Sequence, residues 1–427
     1  MLTQRTKRAG SDVDRSIAIL KLLFGVDFAR EFSVRLFDGT TIPARETERF
    51  TFAVNAPFAL RAAFLPPLDL NPGRAFAAGW IDLEGDVEAG IDACMTAIGN
   101  FSKPKFPLML ARLLALPKPP VRTDDHAHKP RGRAHTKARD AEAIGFHYNQ
   151  PTSFYRLFLG EDMVYSCGYF DEGVATLAAA QTAKIDYILK KVGVRPGETL
   201  LDIGCGWGTL AIRAAQKFGA RVLGVTLSRE QHGFAQERIA EANLGDRVSV
   251  ELRDYRDLRG RTFDRIVSVG MVEHVGREQL ANYFKTAYSA LKTGGLFLNH
   301  GIAQLGSESG YRVSGFIARY VFPDGDLLPI AEMTRAAERA GFELRDVENL
   351  REHYARTLQF WVANLERNRA AAIAASDEHT FRIWRLYMAG SAQGFNRGRM
   401  ALYQSLLAKP SPDGTAHVPT TRRGLYA

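Results

Sequence analysis

Gly204, Gly206 and Gly208 stand at alternate positions directly after Asp202, between two apolar runs. Glycine has no Cβ, so the backbone amides of such a turn, and the helix that follows it, can approach a bound cofactor closely. The spacing Gly-x-Gly-x-Gly differs from that of dinucleotide sites, and no Gly-Lys-Ser/Thr sequence follows to hold a phosphate. The turn therefore favours S-adenosylmethionine over NAD or ATP as the cofactor.

Neutral polar residues stand where a dinucleotide-binding enzyme would carry an acidic one. The second predicted strand ends at Thr226 and Leu227, and Gln231 follows one turn into the next helix. NAD-binding sheets place an Asp or Glu at this point for the ribose hydroxyls. Thr226 and Gln231 can offer neutral hydrogen bonds instead, and helix capping is a sufficient explanation for Ser228. This pattern weakens the case for NAD further.

Alternating strand and helix patterns beyond residue 140 predict the framework that positions these residues. The predicted strands are 199–203, 221–225, 248–252, 263–269, 296–299 and 342–347, followed by an antiparallel edge strand at 402–407. The predicted helices are 176–191, 210–218, 229–242, 278–291 and 330–340. This order predicts an α/β fold with a mostly parallel sheet, whose ligands bind beyond the carboxyl ends of the strands. Asp254 and Tyr255 follow the third strand and could flank an adenine ring.

Composition narrows the class of protein. The chain has 427 residues, of which 46% are hydrophobic, and a formal net charge of +9. No apolar run approaches the thickness of a bilayer and residues 1–10 lack the apolar core of a signal peptide, so we expect a cytoplasmic protein. The charge predicts attraction to a polyanion, either nucleic acid or an anionic membrane surface. Cys94, Cys167 and Cys205 lack CxxC spacing and indicate neither a zinc site nor a disulfide framework.

A basic segment at 117–140 is predicted to be a linker between two domains. It contains His126, His128 and His135. Because no cysteine or carboxylate stands at ligand spacing from them, we expect these histidines to be solvated and not to bind a metal.

The linker separates a small domain from a large one. Residues 1–116 mix short strand-like and helical runs, which predicts an α+β domain without visible chemistry, and residues 141–427 contain the strand and helix alternation. The segment 106–116 is apolar enough to touch a membrane, although packing against the core of the first domain is the favoured interpretation.

Six motifs occur in an order that resembles the successive signatures of one family. They are Tyr165-Ser166-Cys167-Gly168-Tyr169-Phe170, Leu201-Asp202-Ile203-Gly204-Cys205-Gly206-Trp207-Gly208, Thr226-Leu227-Ser228-Arg229-Glu230-Gln231, Gly270-Met271-Val272-Glu273-His274-Val275-Gly276, Tyr320-Val321-Phe322-Pro323-Asp324-Gly325 and His353-Tyr354-Ala355-Arg356-Thr357-Leu358. Through them the chain resembles the cyclopropane-fatty-acyl-phospholipid synthase family, which includes the mycolic acid methyltransferases. The resemblance runs from about residue 147 to about residue 407. The N-terminal region is only loosely similar to the extra domain of the phospholipid-acting members.

The resemblance implies a Rossmann-like class I methyltransferase sheet with helical insertions that form a lipid tunnel, here expected from aromatic residues in 304–326 and 357–395. It implies transfer of the S-adenosylmethionine methyl group to a cis double bond of a phospholipid acyl chain. Proton loss from the new methyl group then closes a cyclopropane ring. In the family a bound bicarbonate is understood to be the base, since a carboxylate beside the cation would risk being alkylated.

The resemblance also implies the residues of the site. The expected holders of bicarbonate are Cys167, Glu273, His300, Ile302 and Tyr354, with Cys167 and Ile302 acting mainly through backbone groups. The expected cofactor-binding residues are Tyr165, Ser166, Asp202, Gly204, Gly206, Gly208, Thr226, Leu227, Gln231, Asp254 and Tyr255. Taken alone, each holder of bicarbonate has a structural explanation, such as a buried cysteine or a core histidine. Their joint occurrence in matching motifs favours the functional interpretation.

Some positions depart from the family pattern. Residues 149–153 replace the usual sequence of an entry segment, and Pro151 must reshape it. Val272 and Gly301 alter the wall of the expected cavity more mildly. We expect these changes to affect the choice of substrate.

The sequence therefore predicts a cytoplasmic enzyme, peripherally associated with the inner face of the membrane, that makes cyclopropane fatty acyl chains. The family resemblance alone implies a homodimer through the N-terminal region. Two alternatives stay open. The same methyl transfer could give a methylene- or methyl-branched chain, or the protein could bind lipid without catalysis. Nucleic-acid methylation would explain the charge, but no motif for holding a flipped base is present.

Overall fold

The computed structural model describes residues 2–26, 31–120, 126–128, 132–148, 150–305 and 314–425. By contacts between residues the chain forms two compact units. The first comprises Met1–His128, Ser314–Val321 and Ala372–Gln393, and the second comprises Lys129–Val313, Phe322–Ala371 and Gly394–Ala427. Two later segments thus belong to the same unit as the N-terminal region. The domain boundaries drawn from the sequence at 116 and 141 stay a prediction.

The first unit contains a four-stranded sheet with the strand order β2-β1-β3-β4. Its strands are β1 (Phe32–Arg35), β2 (Thr41–Ile42), β3 (Phe50–Val54) and β4 (Ile81–Gly85). β1 and β3 run parallel, whereas the other neighbouring strands run antiparallel. Its N-terminal helices are α1 (Leu2–Phe24), α2 (Ala59–Phe64), α3 (Asn71–Ala77), α4 (Val87–Gly99) and α5 (Phe106–Ala115).

The second unit is built on a seven-stranded sheet with the order β10-β11-β9-β8-β5-β6-β7. Its strands are β5 (Thr199–Ile203), β6 (Arg221–Thr226), β7 (Val248–Leu252), β8 (Phe263–Val269), β9 (Leu291–Gln304), β10 (Glu343–Asn349) and β11 (Met400–Ala408). The five strands from β9 to β7 are parallel, and β11 runs antiparallel to both of its neighbours. The expected α/β fold with a mostly parallel sheet is confirmed.

Two strand predictions are wrong in detail. β11 is antiparallel as expected, but it lies between β9 and β10, so β10 forms the edge of the sheet. β9 is also much longer than the predicted strand at 296–299. Its residues from Leu296 to Gln304 pair with β11, and this long-range partner extends the strand beyond the apolar run visible in the sequence.

The remaining helices follow residue 136. They are α6 (Lys137–Tyr148), α7 (Thr152–Leu159), α8 (Leu177–Lys191), α9 (Thr209–Phe218), α10 (Arg229–Glu241), α11 (Leu280–Ala290), α12 (Gly315–Tyr320), α13 (Ile330–Arg339), α14 (Arg351–Arg367), α15 (Arg369–Ala375) and α16 (Glu378–Asn396). α12 and most of α16 belong to the first unit. The five predicted helices match α8, α9, α10, α11 and α13 to within two residues at each end. Across the described ranges, no helix has the length and apolar character needed to cross a membrane.

Local hydrogen bonds explain why these helices begin where they do. The side chain of Thr176 accepts a hydrogen bond from the backbone N–H of Ala179 at the start of α8. Ser228 does the same for Gln231 at the start of α10, which confirms the capping explanation for Ser228.

The segment expected to be a solvated linker is partly structured. α6 begins at Lys137, inside that segment. His128 is buried and its backbone N–H donates to the carbonyl oxygen of Arg319 at 2.8 Å, while His126 Nε2 lies 3.2 Å from Asp377 Oδ2. Solvation of His128 was therefore a wrong prediction, because its partner is distant in the sequence and the local composition gives no sign of it. Asn149 and Tyr311 lie outside the described residues.

Candidate active site

A cavity opens at the carboxyl ends of the central strands of the second unit. The strand order reverses at β5, because β6 and β7 lie on one side of it and β8 and β9 on the other. Ligands of open α/β sheets bind at such a switch point. The lining comes from the turn after β5, from the ends of β6, β7 and β8, and from helices α6 and α8.

Ten of the eleven expected cofactor residues line this one cavity. They are Tyr165, Ser166, Asp202, Gly204, Gly206, Thr226, Leu227, Gln231, Asp254 and Tyr255. Gly208 is the exception. It precedes α9 with a φ of 84°, and a Cβ at this position would lie 3.0 Å from the Cβ of Ala235 in α10. The third glycine of the turn therefore allows the close packing of two helices.

Two buried charged side chains, Lys184 of α8 and Asp202 at the end of β5, line the cavity and are each 2% exposed. Lys184 Nζ donates to Ser166 Oγ at 2.8 Å. Asp202 Oδ2 has no hydrogen-bond partner among the described residues. Burial lowers the pKa of Lys184 to about 8 and raises the pKa of Asp202 to about 7, and the attraction between the two opposes both shifts. The free carboxyl oxygen is available to a cationic group of a ligand.

The ends of β6 and β7 supply polar groups that are held in place. Thr226 Oγ1 donates to Gln231 Oε1 at 2.8 Å, and both side chains are buried. The guanidinium of Arg256 donates to Asp254 Oδ2 at 2.6 Å and to Asp140 Oδ2 at 2.9 Å. Asp140 belongs to α6 and lines the cavity. Arg256 thus ties helix α6 to the loop that follows β7.

Glu273 lies in the short 3₁₀ turn Val272–His274, between β8 and α11. Its Oε1 accepts a hydrogen bond from the backbone N–H of Ile302 at 2.6 Å, whereas Oε2 has no partner within the described part of the chain. Burial raises the pKa of this carboxyl to about 7, although the bond from Ile302 acts in the opposite direction. The next residue, His274, lines the cavity, whereas Glu273 itself is not part of the described lining.

His300 stands on β9 two residues before Ile302, and therefore on the same face of the strand. It is fully buried, and its Nδ1 lies 3.2 Å from Nε2 of Gln404, the residue opposite on β11. Because that amide nitrogen can only donate, the ring proton is assigned to Nε2. This atom has no partner among the residues described. Burial holds the pKa of His300 well below its usual range, so the ring is a neutral hydrogen-bond donor.

Cys167 and Tyr354 both lie near Leu350, the residue before α14. The buried Cys167 Sγ lies 3.2 Å from the carbonyl oxygen of Gly168 and 3.9 Å from that of Leu350. The backbone N–H of Tyr354 donates to the same Leu350 carbonyl, and its ring lies 4.8 Å from that of Phe395. Burial raises the pKa of the thiol far above its ordinary value, so Cys167 is not a nucleophile at neutral pH.

The structure brings the five expected bicarbonate holders together in two groups. Glu273 is in direct contact with Ile302, which shares β9 with His300, whereas Cys167 and Tyr354 both adjoin Leu350. The five are absent from the described lining of the cavity itself, although Ser166 and His274, next to two of them, belong to it. The N–H of Ile302 is already used by Glu273, so Ile302 positions the carboxyl.

Sequence reasoning missed Lys184 and placed Asp140 in a linker. The signal for Lys184 was present: it lies on the buried face of α8, at helical spacing from Leu177, Gln181 and Ile188. A lysine on such a face is costly to bury and therefore indicates a function. Asp140 had no comparable signal, because its partner Arg256 is more than a hundred residues away.

The sequence model described as "Mycolic acid cyclopropane synthetase" matches residues 135–405. The chain belongs to this family. The resemblance inferred from the six motifs is thereby confirmed. Members of this family transfer the methyl group of S-adenosylmethionine to lipid chains.

Known members of the mycolic acid cyclopropane synthetase family cover different shares of the chain. A "Probable fatty acid methyltransferase" of Pseudomonas putida is 40% identical over 397 residues, which are 92% of this chain and 95% of the relative. The solved structure of the cyclopropane synthase MmaA2 from Mycobacterium tuberculosis is 35% identical, with a TM-score of 0.61, over 63% of this chain and 98% of that chain. A structure of mycolic acid cyclopropane synthase CmaA1 with SAH and CTAB is 36% identical, with a TM-score of 0.60, over 62% and 97%.

The buried Glu273 predicts a stability that depends on pH. Its pKa is raised from 4.5 to about 7 on folding, so its charging lowers stability as the pH rises from about 4.5 to about 7. Glu273→Gln keeps the acceptor for Ile302 and removes this charging. At pH 8 we expect the free energy of unfolding of the variant to exceed that of the wild type by about 1–3 kcal/mol, with the difference shrinking toward pH 5. Chemical denaturation at pH 8 and at pH 5 measures the difference in the free energy of unfolding. An equal difference at the two pH values would contradict a raised pKa of Glu273.

Lys184 is predicted to position Ser166 for the cofactor. Lys184→Met removes the donor to Ser166 Oγ and the positive charge beside Asp202. We expect the Kd for S-adenosylmethionine, measured by calorimetry at pH 7, to rise about tenfold to a hundredfold. The wild-type Kd should also increase relative to that of the variant as the pH rises through about 8, where Lys184 loses its charge. Titration of the cofactor itself affects the Kd of both proteins equally. If the Kd of the wild type and of the variant changed with pH in parallel, Lys184 would have no role in cofactor binding.

Gly301 and Val272, two departures from the family pattern, compensate each other. A Cβ at Gly301 would lie 2.2 Å from Val272 Cγ1 but 3.6 Å from its Cβ. Gly301→Ala should therefore destabilise the protein by about 1–3 kcal/mol through overpacking. The double variant with Val272→Ala should recover stability to the level of Val272→Ala alone, as judged by urea denaturation. If the effects of Gly301→Ala and Val272→Ala on the free energy of unfolding were strictly additive, the two positions would not compensate each other.

Proposed function

We propose that this protein transfers the methyl group of S-adenosylmethionine to a cis double bond of a phospholipid acyl chain, with bicarbonate-assisted proton loss that forms a cyclopropane. The observation that carries the proposal is a pair of buried polar atoms without a partner in the described residues, Glu273 Oε2 and His300 Nε2. Unpaired buried polar groups cost free energy and are rare in native structures, so two of them among the expected holders of bicarbonate favour a ligand at this place. Glu273 lies in the turn after β8, next to the cavity residue His274, and His300 lies on β9, which pairs with β8.

The residues around this cavity fit the cofactor. S-adenosylmethionine would supply the methyl group as a sulfonium electrophile. Gly204 and Gly206, with φ values of 79° and 54°, would present backbone amides without a Cβ in the way. The free oxygen of Asp202 would accept the cofactor's ammonium group, and Thr226 and Gln231 would offer neutral hydrogen bonds. The solved complex of CmaA1 with SAH supports this assignment.

The remaining cofactor contacts are proposed from the same lining. Tyr165, Ser166 and Leu227 would border the methionine and ribose portions, while Asp254 and Tyr255 would flank the adenine. Lys184 would hold the Ser166 hydroxyl in position, as its 2.8 Å contact indicates.

The five expected holders of bicarbonate fit this anion, which would supply the base. An anion that carries one O–H group needs both an acceptor and a donor. Glu273 Oε2 would accept that hydrogen, and the Nε2–H of His300 would donate to an oxygen. Ile302 would keep Glu273 in place through its N–H, while Cys167 and Tyr354 would complete the site.

The chain's own residues would make the reaction possible by exclusion of water and by orientation. A double bond is a weak nucleophile, so its carbon must be held against the sulfonium methyl in a dry cavity. Methyl transfer forms a carbon–carbon bond, breaks the carbon–sulfur bond and leaves a carbocation on the acyl chain. Loss of a proton from the new methyl group lets its electron pair close onto the cationic carbon. Burial of Glu273 and His300 would keep water, a competing nucleophile, away from that cation.

A second product is a specific alternative. A hydride shift before proton loss would give a methylene-branched chain from the same methyl transfer, and later reduction would give a methyl branch. The name of the Pseudomonas putida relative, a probable fatty acid methyltransferase, fits either product. The intact glycine turn and the presence of Glu273 argue against a lipid-binding homologue without catalysis.

We further propose a cytoplasmic location with peripheral association at the inner face of the membrane, where the phospholipid acyl chains lie. The formal net charge of +9 supports attraction to anionic lipids. A homodimer is proposed from family resemblance alone. We propose no nucleic-acid partner.

The product can be identified in a bacterium that makes no cyclopropane fatty acids. Total fatty acids from cells that express the protein are analysed by gas chromatography and mass spectrometry against cyclopropane, methylene-branched and methyl-branched standards. We expect a one-carbon gain that co-elutes with the cyclopropane standard. A gain at a branched standard would overturn ring closure, and no gain from a folded, cofactor-binding protein would overturn the acceptor. Cells that express Glu273→Gln at an equal level provide the matched control and should show no gain.

A further inference from the structure

Helix α5 of the first unit exposes an apolar face. Phe106, Leu108 and Leu114 are 41%, 48% and 50% exposed, which is high for large apolar side chains. The outward positions between 107 and 115 contain no charged residue: they are Pro107, Leu108, Ala111, Leu114 and Ala115. A surface helix normally turns its polar side to solvent. α5 instead presents apolar side chains to solvent as well as to the core.

The helix is held firmly with this face outward. On its inner side Met109, Leu113 and the following Leu116 are buried within the first unit. The guanidinium of Arg61 donates to the carbonyl oxygens of Leu114 at 3.0 Å and Leu116 at 2.7 Å, so it satisfies the carboxyl end of α5. The prediction that segment 106–116 packs against the core of the first domain therefore holds for only one side of the helix. One side of α5 packs, and the other side remains open.

Basic residues border the apolar face at both ends. Lys103 and Lys105 are exposed just before the helix, Lys118 is exposed just after it, and Arg112 lies half-buried on its flank. No acidic residue occurs between 100 and 120. Apolar side chains surrounded by lysines match the chemistry of an anionic phospholipid surface, where acyl chains lie beneath negatively charged headgroups.

We propose that α5 is a docking surface that inserts Leu108 and Leu114 into an anionic phospholipid bilayer. The proposal deepens the proposed function, on which it rests for its biological purpose, because it names the part of the chain that would bring the enzyme to acyl chains. A second copy of the chain fits this surface less well, since a two-fold interface would bring the same lysines together without acidic partners.

The test measures binding of the full-length protein to vesicles by co-sedimentation. Vesicles of phosphatidylcholine alone are compared with vesicles that also contain phosphatidylglycerol. The wild type should bind the anionic vesicles, more weakly at high salt. Leu108→Gln/Leu114→Gln should reduce the partition coefficient at least tenfold, because two apolar side chains no longer enter the bilayer. Met95→Gln, which changes a comparably exposed apolar residue on α4, is the matched control and should bind like the wild type.

Several results would overturn the proposal. The first is equal vesicle binding by the wild type and the α5 variant. The second is a loss of vesicle binding in the Met95→Gln control as large as in the α5 variant. The third is a wild-type protein that does not bind vesicles but forms a dimer in solution that the α5 variant does not form. Thermal melts of all three proteins verify folding. Methyl transfer to a detergent-dispersed unsaturated phospholipid separates this proposal from the proposed function: the α5 variant should retain it. If the wild type binds vesicles through α5 but methylates no dispersed lipid, the proposed function fails while the docking surface stands.

Discussion

The hydrogen bond from the backbone N–H of Ile302 to the buried carboxyl of Glu273 is the constraint on which the site depends. It joins the turn after β8 to β9 and holds in place a carboxyl group whose burial is otherwise unfavourable. A buried, partly unpaired carboxyl costs stability at neutral pH, and the rest of the fold must offset that cost. The long pairing of β9 with β11, which runs from Leu296 to Gln304, provides such a rigid support.

The same arrangement concentrates four ionisable groups near the carboxyl ends of the central strands. Lys184 and Asp202 line the cavity, and Glu273 and His300 lie on the elements beside it. Burial shifts the pKa of each group in the direction that favours its neutral form. The result is a site with little net charge and several unpaired polar atoms. Such a site suits a reaction in which a transient cation must meet a positioned proton acceptor and no water.

Sequence patterns predicted the parts that depend on local order. The helices α8 to α11 and the glycine turn follow from apolar periodicity, caps and glycine spacing, and ten of the residues expected to bind the cofactor line one cavity. Features set by distant partners could not be predicted. β11 lies inside the sheet because it pairs with both β9 and β10, and Asp140 lines the cavity through α6, which Arg256 holds. Gly208 illustrates the limit within a motif, since its packing against Ala235 is invisible in the glycine spacing.

The central claim is that Glu273 and His300 hold an anion that accepts the proton. The most direct test is the rate of methyl transfer to unsaturated phospholipid in buffers freed of carbon dioxide and then supplied with known amounts of bicarbonate. We expect a low rate that rises and saturates with bicarbonate for the wild type, and no restoration for Glu273→Gln. A wild-type rate that is independent of bicarbonate, with cofactor binding intact, would contradict the account.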